Sequence, residues 1–232
     1  MGKQVSMTGM LFGYDLAGFS PVVAAVSGTG VDAQKFSTLP SFAAQLGFEN
    51  KTFLASVGVE GNTLRPRTSD FQNPSTGVFG AAGVQKNITT NIFGLNLLAY
   101  AKYTGSKITV KAHTTYGQSF TQYVGFGGFA EYRDATTGAW KYVAHNQINM
   151  WGELISTASK KFQPALFVGY SQNLGLSTAI NRSSITGTSL AFVGRGVGTG
   201  RTMDNLLRIA PRLDIYSGKM KFALEYELST IG

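Results

Sequence analysis

From Leu207 to Leu228 the chain alternates apolar and polar residues through two runs joined at Ser217-Gly218. Leu207, Ile209, Pro211, Leu213 and Ile215 are spaced two apart, and so are Met220, Phe222, Leu224, Tyr226 and Leu228. A helix would scatter such a pattern around its surface, whereas a strand sends successive side chains to opposite faces. The segment therefore specifies an antiparallel hairpin with one apolar face and one charged face. Taking Ser217-Gly218 as the turn sets Leu213 opposite Phe222, Ile209 opposite Tyr226, Asp214 opposite Lys221 and Arg208 opposite Glu227. Opposite charges then meet across the strands, which is favourable.

Three further pairs repeat the division. Phe42–Phe48 and Phe53–Val59 flank a turn at Asn50-Lys51, Phe93–Tyr103 and Ile108–Thr114 flank Gly105-Ser106, and Ile148–Leu154 and Phe162–Tyr170 flank a looser turn at Ser156–Lys160. A ninth strand is expected over Gln4–Tyr14. With the residues flanking these runs, each strand is expected to be about nine to eleven residues long, enough for a tilted strand to cross a bilayer and about twice the usual soluble strand. Between the pairs, residues 15–40, 61–91, 117–146 and 172–206 are rich in Gly, Ser, Thr and Asn and are expected as long loops. Single-chain bacterial barrels have an even strand number, so further strands are expected near Val22–Val26 or Val78–Val84, or else in another part of a larger barrel.

Only 14% of the 232 residues are charged, against about 25% in typical soluble domains. No apolar run approaches the roughly 20 residues of a membrane helix. Absent cysteine removes disulfides and thiolate metal sites. A formal charge of +8 would suit a polyanion, but the Lys and Arg residues are dispersed rather than clustered, which argues against nucleic acid. His113 and His145 lie far apart in sequence without a carboxylate cluster, so no metal or cofactor is expected. Glu225 and Glu227 share a strand face, and pairing with Arg208 explains them better than acid–base catalysis. The Gly194–Arg201 run lacks the Lys-Ser/Thr ending of a phosphate loop and is expected as a flexible loop carrying Arg195 and Arg201. Gly125–Phe129 is likewise expected as a mobile loop. Tyr103, Tyr170, Tyr216 and Tyr226 fall near strand ends, where aromatic rings favour a membrane interface, and Trp140 and Tyr142 extend that expected girdle. No leader pattern precedes the first strand and no aromatic closes the last, so a mature or partial barrel is expected.

The segments Gln147–Glu153, Lys161–Tyr170 and Arg208–Arg212 resemble the C-terminal wall strands of porin-like outer-membrane barrels of Bacteroidetes, the DcaP-like trimeric porins. The resemblance spans about residues 40 to 230, rests on loose strand patterns, and implies a larger barrel, commonly a trimer. It carries over no functional residue.

The expectation is a single all-β domain over residues 1–232, an antiparallel transmembrane β-barrel or a large part of one. It would lie in the bacterial outer membrane and pass small hydrophilic solutes by passive diffusion, with anion preference from the excess of base. Expected pore-lining residues are Lys102, Lys111, His113, Asn149, Glu153, Arg208, Arg212, Asp214, Lys221, Glu225 and Glu227. Partners would be outer-membrane lipid, the solutes, and further copies of the chain or other outer-membrane proteins; no catalytic set is present. Two alternatives stand beside this: a non-conducting barrel subunit that binds a partner, and a soluble all-β binding protein.

Overall fold

The computed structural model describes residues 4–13, 39, 41–80, 83–118, 128–185, 191–194 and 204–232. It is all-β. In chain order the strands are β1 (Gln4–Gly13), β2 (Ser41–Glu49), β3 (Phe53–Leu64), β4 (Ser69–Gln72), β5 (Phe79–Gly80), β6 (Val84–Asn87), β7 (Ile92–Thr104) and β8 (Ile108–Gly117). They continue as β9 (Gly128–Arg133), β10 (Trp140–Ser156), β11 (Phe162–Leu176), β12 (Ala191–Gly194), β13 (Asn205–Ser217), β14 (Met220–Glu225) and β15 (Leu228–Ile231). A single 3₁₀ turn at Arg182–Ser184 interrupts this among the described residues.

Nine strands form a meander, β1-β2-β3-β7-β8-β10-β11-β13-β14, every pair antiparallel. The first three expected hairpins are present at their expected turns. Asn50 shows why one of them forms: its Oδ1 accepts hydrogen bonds from the N–H groups of Thr52 at 2.9 Å and Phe53 at 2.8 Å, closing an Asx turn.

The last hairpin departs from the expected register by two residues. Ser217 pairs with Met220, Arg212 with Glu225 and Leu213 with Leu224, so the turn is Gly218-Lys219. Gly218 has φ +60°, the first central position at which a II′ turn takes glycine. A shift of two preserves both faces, and the expected charge pairs survive diagonally: Lys221 to Asp214 at 2.9 Å and Arg208 to Glu227 at 3.1 Å. The return strand breaks between β14 and β15 because Pro211 stands opposite. Its carbonyl accepts from Tyr226 N–H at 3.1 Å, but it has no N–H to return.

Three other expectations are corrected. Among the described residues the sheet does not close into a barrel: β1 pairs with β2, and β14 with β13, leaving an edge on each. Nor are the connections 61–91, 117–146 and 172–206 plain loops where they are described, since β4, β5 and β6 make a separate three-stranded sheet and β9 joins β10 and β12; apart from residue 39, the connection 15–40 lies outside the described residues. The extra strands expected near Val78–Val84 are β5 and β6, outside the meander, while Val22–Val26 lies outside the described residues. Finally, β7, β10, β11 and β13 run 13, 17, 15 and 13 residues, longer than expected; β10 gains its length by pairing with β9 over Trp140–Ala144 before it joins the meander ladder.

Burial across the meander is inverted relative to a soluble sheet. Val57 is 59% exposed, Leu97 53% and Leu224 75%, whereas Asn96, Thr115 and Gln147 on the opposite face are each 1% exposed. Apolar burial concentrates instead at the end of the sheet away from the short turns, where Leu64, Ile92, Phe129 and Ala144 pack together with Tyr142 alongside. Phe129 is thus a core residue at the head of β9 rather than part of a mobile loop; residues 125–127 lie outside the described residues.

Candidate functional site: the polar face of the sheet

Pairing registers decide which side chains share the polar face. One cross-sheet row runs Ser56, Tyr100, His113, Trp151, Gly169 and Arg208; the next, nearer the short turns, runs Leu54, Lys102, Lys111, Glu153, Phe167 and Ala210. Ten of the eleven expected lining residues fall on this face by register, and Glu227, between β14 and β15, pairs with Arg208 of the same face.

Glu153 is the hub of the charges. One carboxylate oxygen accepts from Lys111 Nζ at 2.7 Å and the other from an Arg212 Nη at 2.7 Å, joining strands β8, β10 and β13. Arg212 also lies 3.2 Å from Asp214 and 3.7 Å from Glu225. The approach to Asp214 is an ion pair by distance without hydrogen-bond alignment, since neither Arg212 Nε nor Asp214 Oδ1 has a hydrogen-bond partner. Lys221 completes the chain on Asp214. Glu225 and Glu227 therefore take different arginines, Arg212 and Arg208, rather than Arg208 alone. Lys102 faces Lys111 directly across the ladder, a like-charge pair.

On the other side of the row, Asn149 Nδ2 donates to Thr115 Oγ1 at 3.0 Å. Between these polar rows lies an aromatic strip of which only His113 was among the expected residues. Trp151 has ring centroids of His113 at 5.7 Å, Phe167 at 5.8 Å and Tyr100 at 6.2 Å. The alternation held the signal, because Trp151 and Phe167 occupy polar-face positions in their strands. Beside the strip a trough of about 490 Å³ is lined by Gln45, Gly47, Ser56, Gly58, Tyr100 and His113 among others.

Lys102, Lys111, Arg208, Arg212 and Lys221 share this face with Glu49, Glu60, Glu153, Asp214, Glu225 and Glu227, so its described formal charges nearly cancel. The chain's excess of base resides elsewhere. Arg195 and Arg201 lie outside the described residues. Among the described residues no group of three or more histidines and carboxylates is placed to hold a metal.

At the far end of the sheet the connections interlock. Trp140 was expected in an interfacial girdle, yet the guanidinium carbons of Arg67 and Arg133 lie 4.1 and 4.5 Å from its ring centroid. Arg133 donates to both carboxylate oxygens of Asp70, at 3.1 and 3.2 Å, and to the Gly138 carbonyl at 2.8 Å. Arg67 lies 3.5 Å from Glu131, and Tyr142 packs edge-on against Phe129. Cation–π stacking and charge draw these residues inward, which outweighs the preference of aromatics for an interface. Burial pushes the Glu131 carboxyl above its ordinary value, against the pull of Arg67 and Arg133. Gly138 (φ +67°) sits where a side-chain carbon would overlap the Phe79 carbonyl, so the close approach of the two connections needs glycine. Of the expected girdle tyrosines, Tyr103 is exposed on the apolar face, whereas Tyr216 lies on the polar face and Tyr170 pairs mid-strand with Met150 and Leu207.

No protein-family model, curated protein or solved structure matches the chain.

Proposed function

We propose that the chain forms wall strands of a bacterial outer-membrane β-barrel through which small hydrophilic solutes diffuse passively. The inverted burial of the meander carries this reading. Leu46, Val57, Leu97, Tyr116, Met150 and Leu154 lie in adjoining rows of one face and are each exposed by about two-fifths or more. Water would penalise such a continuous apolar surface, while a bilayer would solvate it. The opposite face, with its hydroxyls, amides and linked ion pairs, is suited to an aqueous lumen. Its near-balanced charge supports weak selectivity between ions rather than strong anion preference.

The free edges favour a second reading, in which the chain is a wall segment completed by strands of another chain. With nine alternating strands, β1 and β14 run in the same direction. Direct closure would require one parallel pair unlike every other pair in the sheet.

Planar-bilayer recordings of the folded chain test the proposal. Stepwise conductance is expected from a pore. Insertion without conductance would leave the wall segment, and a folded chain that stays monomeric in water without detergent would overturn both readings.

A further inference from the structure

The four short turns of the meander lie at one end of the sheet, because each joins an even-numbered strand of the path to the next. Each tip carries the same two elements. Lys51, Lys107, Lys160 with Lys161, and Lys219 occupy the turns, all exposed, with no Asp or Glu among the turn residues 50–52, 105–107, 157–161 and 218–219. Beside them on the apolar face stand Phe53, Tyr103, Phe162 and Phe222, which are 39%, 44%, 47% and 56% exposed. Lys161 Nζ lies 5.5 Å from the Phe162 ring. None of the five lysines makes an ion pair with a described residue. The opposite end differs, since Asp70, Glu131 and Asp134 intersperse with Arg65, Arg67, Arg133 and Lys141 there.

We infer that this rim is a docking surface for anionic phospholipid headgroups, an assignment that rests on the membrane reading above. A row of turn lysines without ion pairs to described residues, set beyond exposed aromatic residues at the strand ends, matches a phosphate layer above acyl chains: aromatic rings favour the interface and lysine stems can extend to the headgroups. The repetition at four tips far apart in sequence, from residue 51 to residue 219, makes it a property of the rim rather than of one turn. Attraction to an anionic surface amounts to about fivefold per lysine near the membrane at low salt.

The absence of cysteine makes a single introduced thiol specific. Ser106→Cys, carrying a fluorophore, reports the turn rim and Thr136→Cys the opposite end, each in the full chain inserted into vesicles. Quenching by headgroup-labelled phosphatidylglycerol is compared with quenching by equally labelled phosphatidylcholine. At Ser106→Cys we expect phosphatidylglycerol enrichment of about fivefold or more, with none at Thr136→Cys. In K51Q/K107Q/K160Q/K161Q/K219Q the enrichment falls to near unity while flotation with vesicles and the far-ultraviolet β signal persist. Should that variant not fold, the same comparison on the unmodified lysines at raised salt, which screens the attraction, serves in its place. Equal quenching by both lipids, or enrichment that survives both the variant and salt, overturns the inference. Enrichment erased by inorganic phosphate at matched ionic strength assigns the rim to soluble phosphate and also overturns it. Failure to float with vesicles of either composition defeats the membrane reading itself, a distinct result.

Discussion

Removing the Glu153 carboxylate tests whether the polar face is a coupled network or a set of independently hydrated groups. In Glu153→Ala, Lys111 loses its partner and is left facing Lys102, whereas Arg212 keeps Asp214 at 3.2 Å and Glu225 at 3.7 Å. Breaking a fully buried ion pair from one side costs about 3–5 kcal/mol. Here the Glu153 side chain is 9% exposed but those of Lys111 and Arg212 are 28% and 23% exposed, so water takes up part of the loss. About 2–3 kcal/mol is expected for Glu153→Ala, and about 1–2 for Lys111→Ala, which leaves Glu153 held by Arg212. Because the two substitutions remove one shared bond, the double variant should fall short of their sum by about 1 kcal/mol. Urea unfolding in detergent micelles, followed by tryptophan emission, measures all three. Trp151 is two residues from Glu153 on the same face and reports the region directly. Coupling within about 0.5 kcal/mol of zero would refute the network and mean that the pairs are already screened by water.

Other expectations concern the interlocked connections and the last hairpin. Arg133→Ala removes both bonds to Asp70 and one stacking partner of Trp140, and should cost about 2–3 kcal/mol; limited proteolysis should then cut within residues 65–91 where the parent resists. Gly138→Ala should open the same region through its clash with the Phe79 carbonyl, while Ala139→Gly, next in the turn, should not. Glu131 has a folded value raised above its unfolded one, so its stabilising effect is present below the ordinary carboxylate value and is lost as pH rises through the raised value. In Glu131→Gln, the stability of this end should lose that dependence; an unchanged pH profile would mean that Glu131 is solvated. Pro211→Ala restores a donor opposite Tyr226, and hydrogen exchange should show a newly protected amide at residue 211 if the β14–β15 break has the cause given above.

Much of the fold is legible because its instructions are local. Strand direction changes come from Asn50 and from Gly105, and face assignment comes from spacing alone, so every expected lining residue from Lys102 to Glu225 lands on the polar face. The last register was missed by two because charge pairing cannot separate straight from diagonal contacts: Asp214 meets Lys221 in either case. The signal that does separate them is glycine at the first central turn position. The connections were read as loops because β4, β5 and β9 are too short to show alternation, and their pairing depends on Arg133 finding Asp70, 63 residues earlier. Trp140 and Tyr142 illustrate the same limit, since a ring's partner determines whether it packs inward or faces a membrane.

The sequence by itself determined the long strands of the meander, their two faces and the first three turns, since period-two alternation and turn chemistry act over a few residues. Only the tertiary structure decided that the polar face is the buried one and that Glu153 links three strands. It also decided that the connections lock over Trp140 and that the meander keeps open edges. Each of these depends on where distant strands lie in space, and no local rule of spacing carries that.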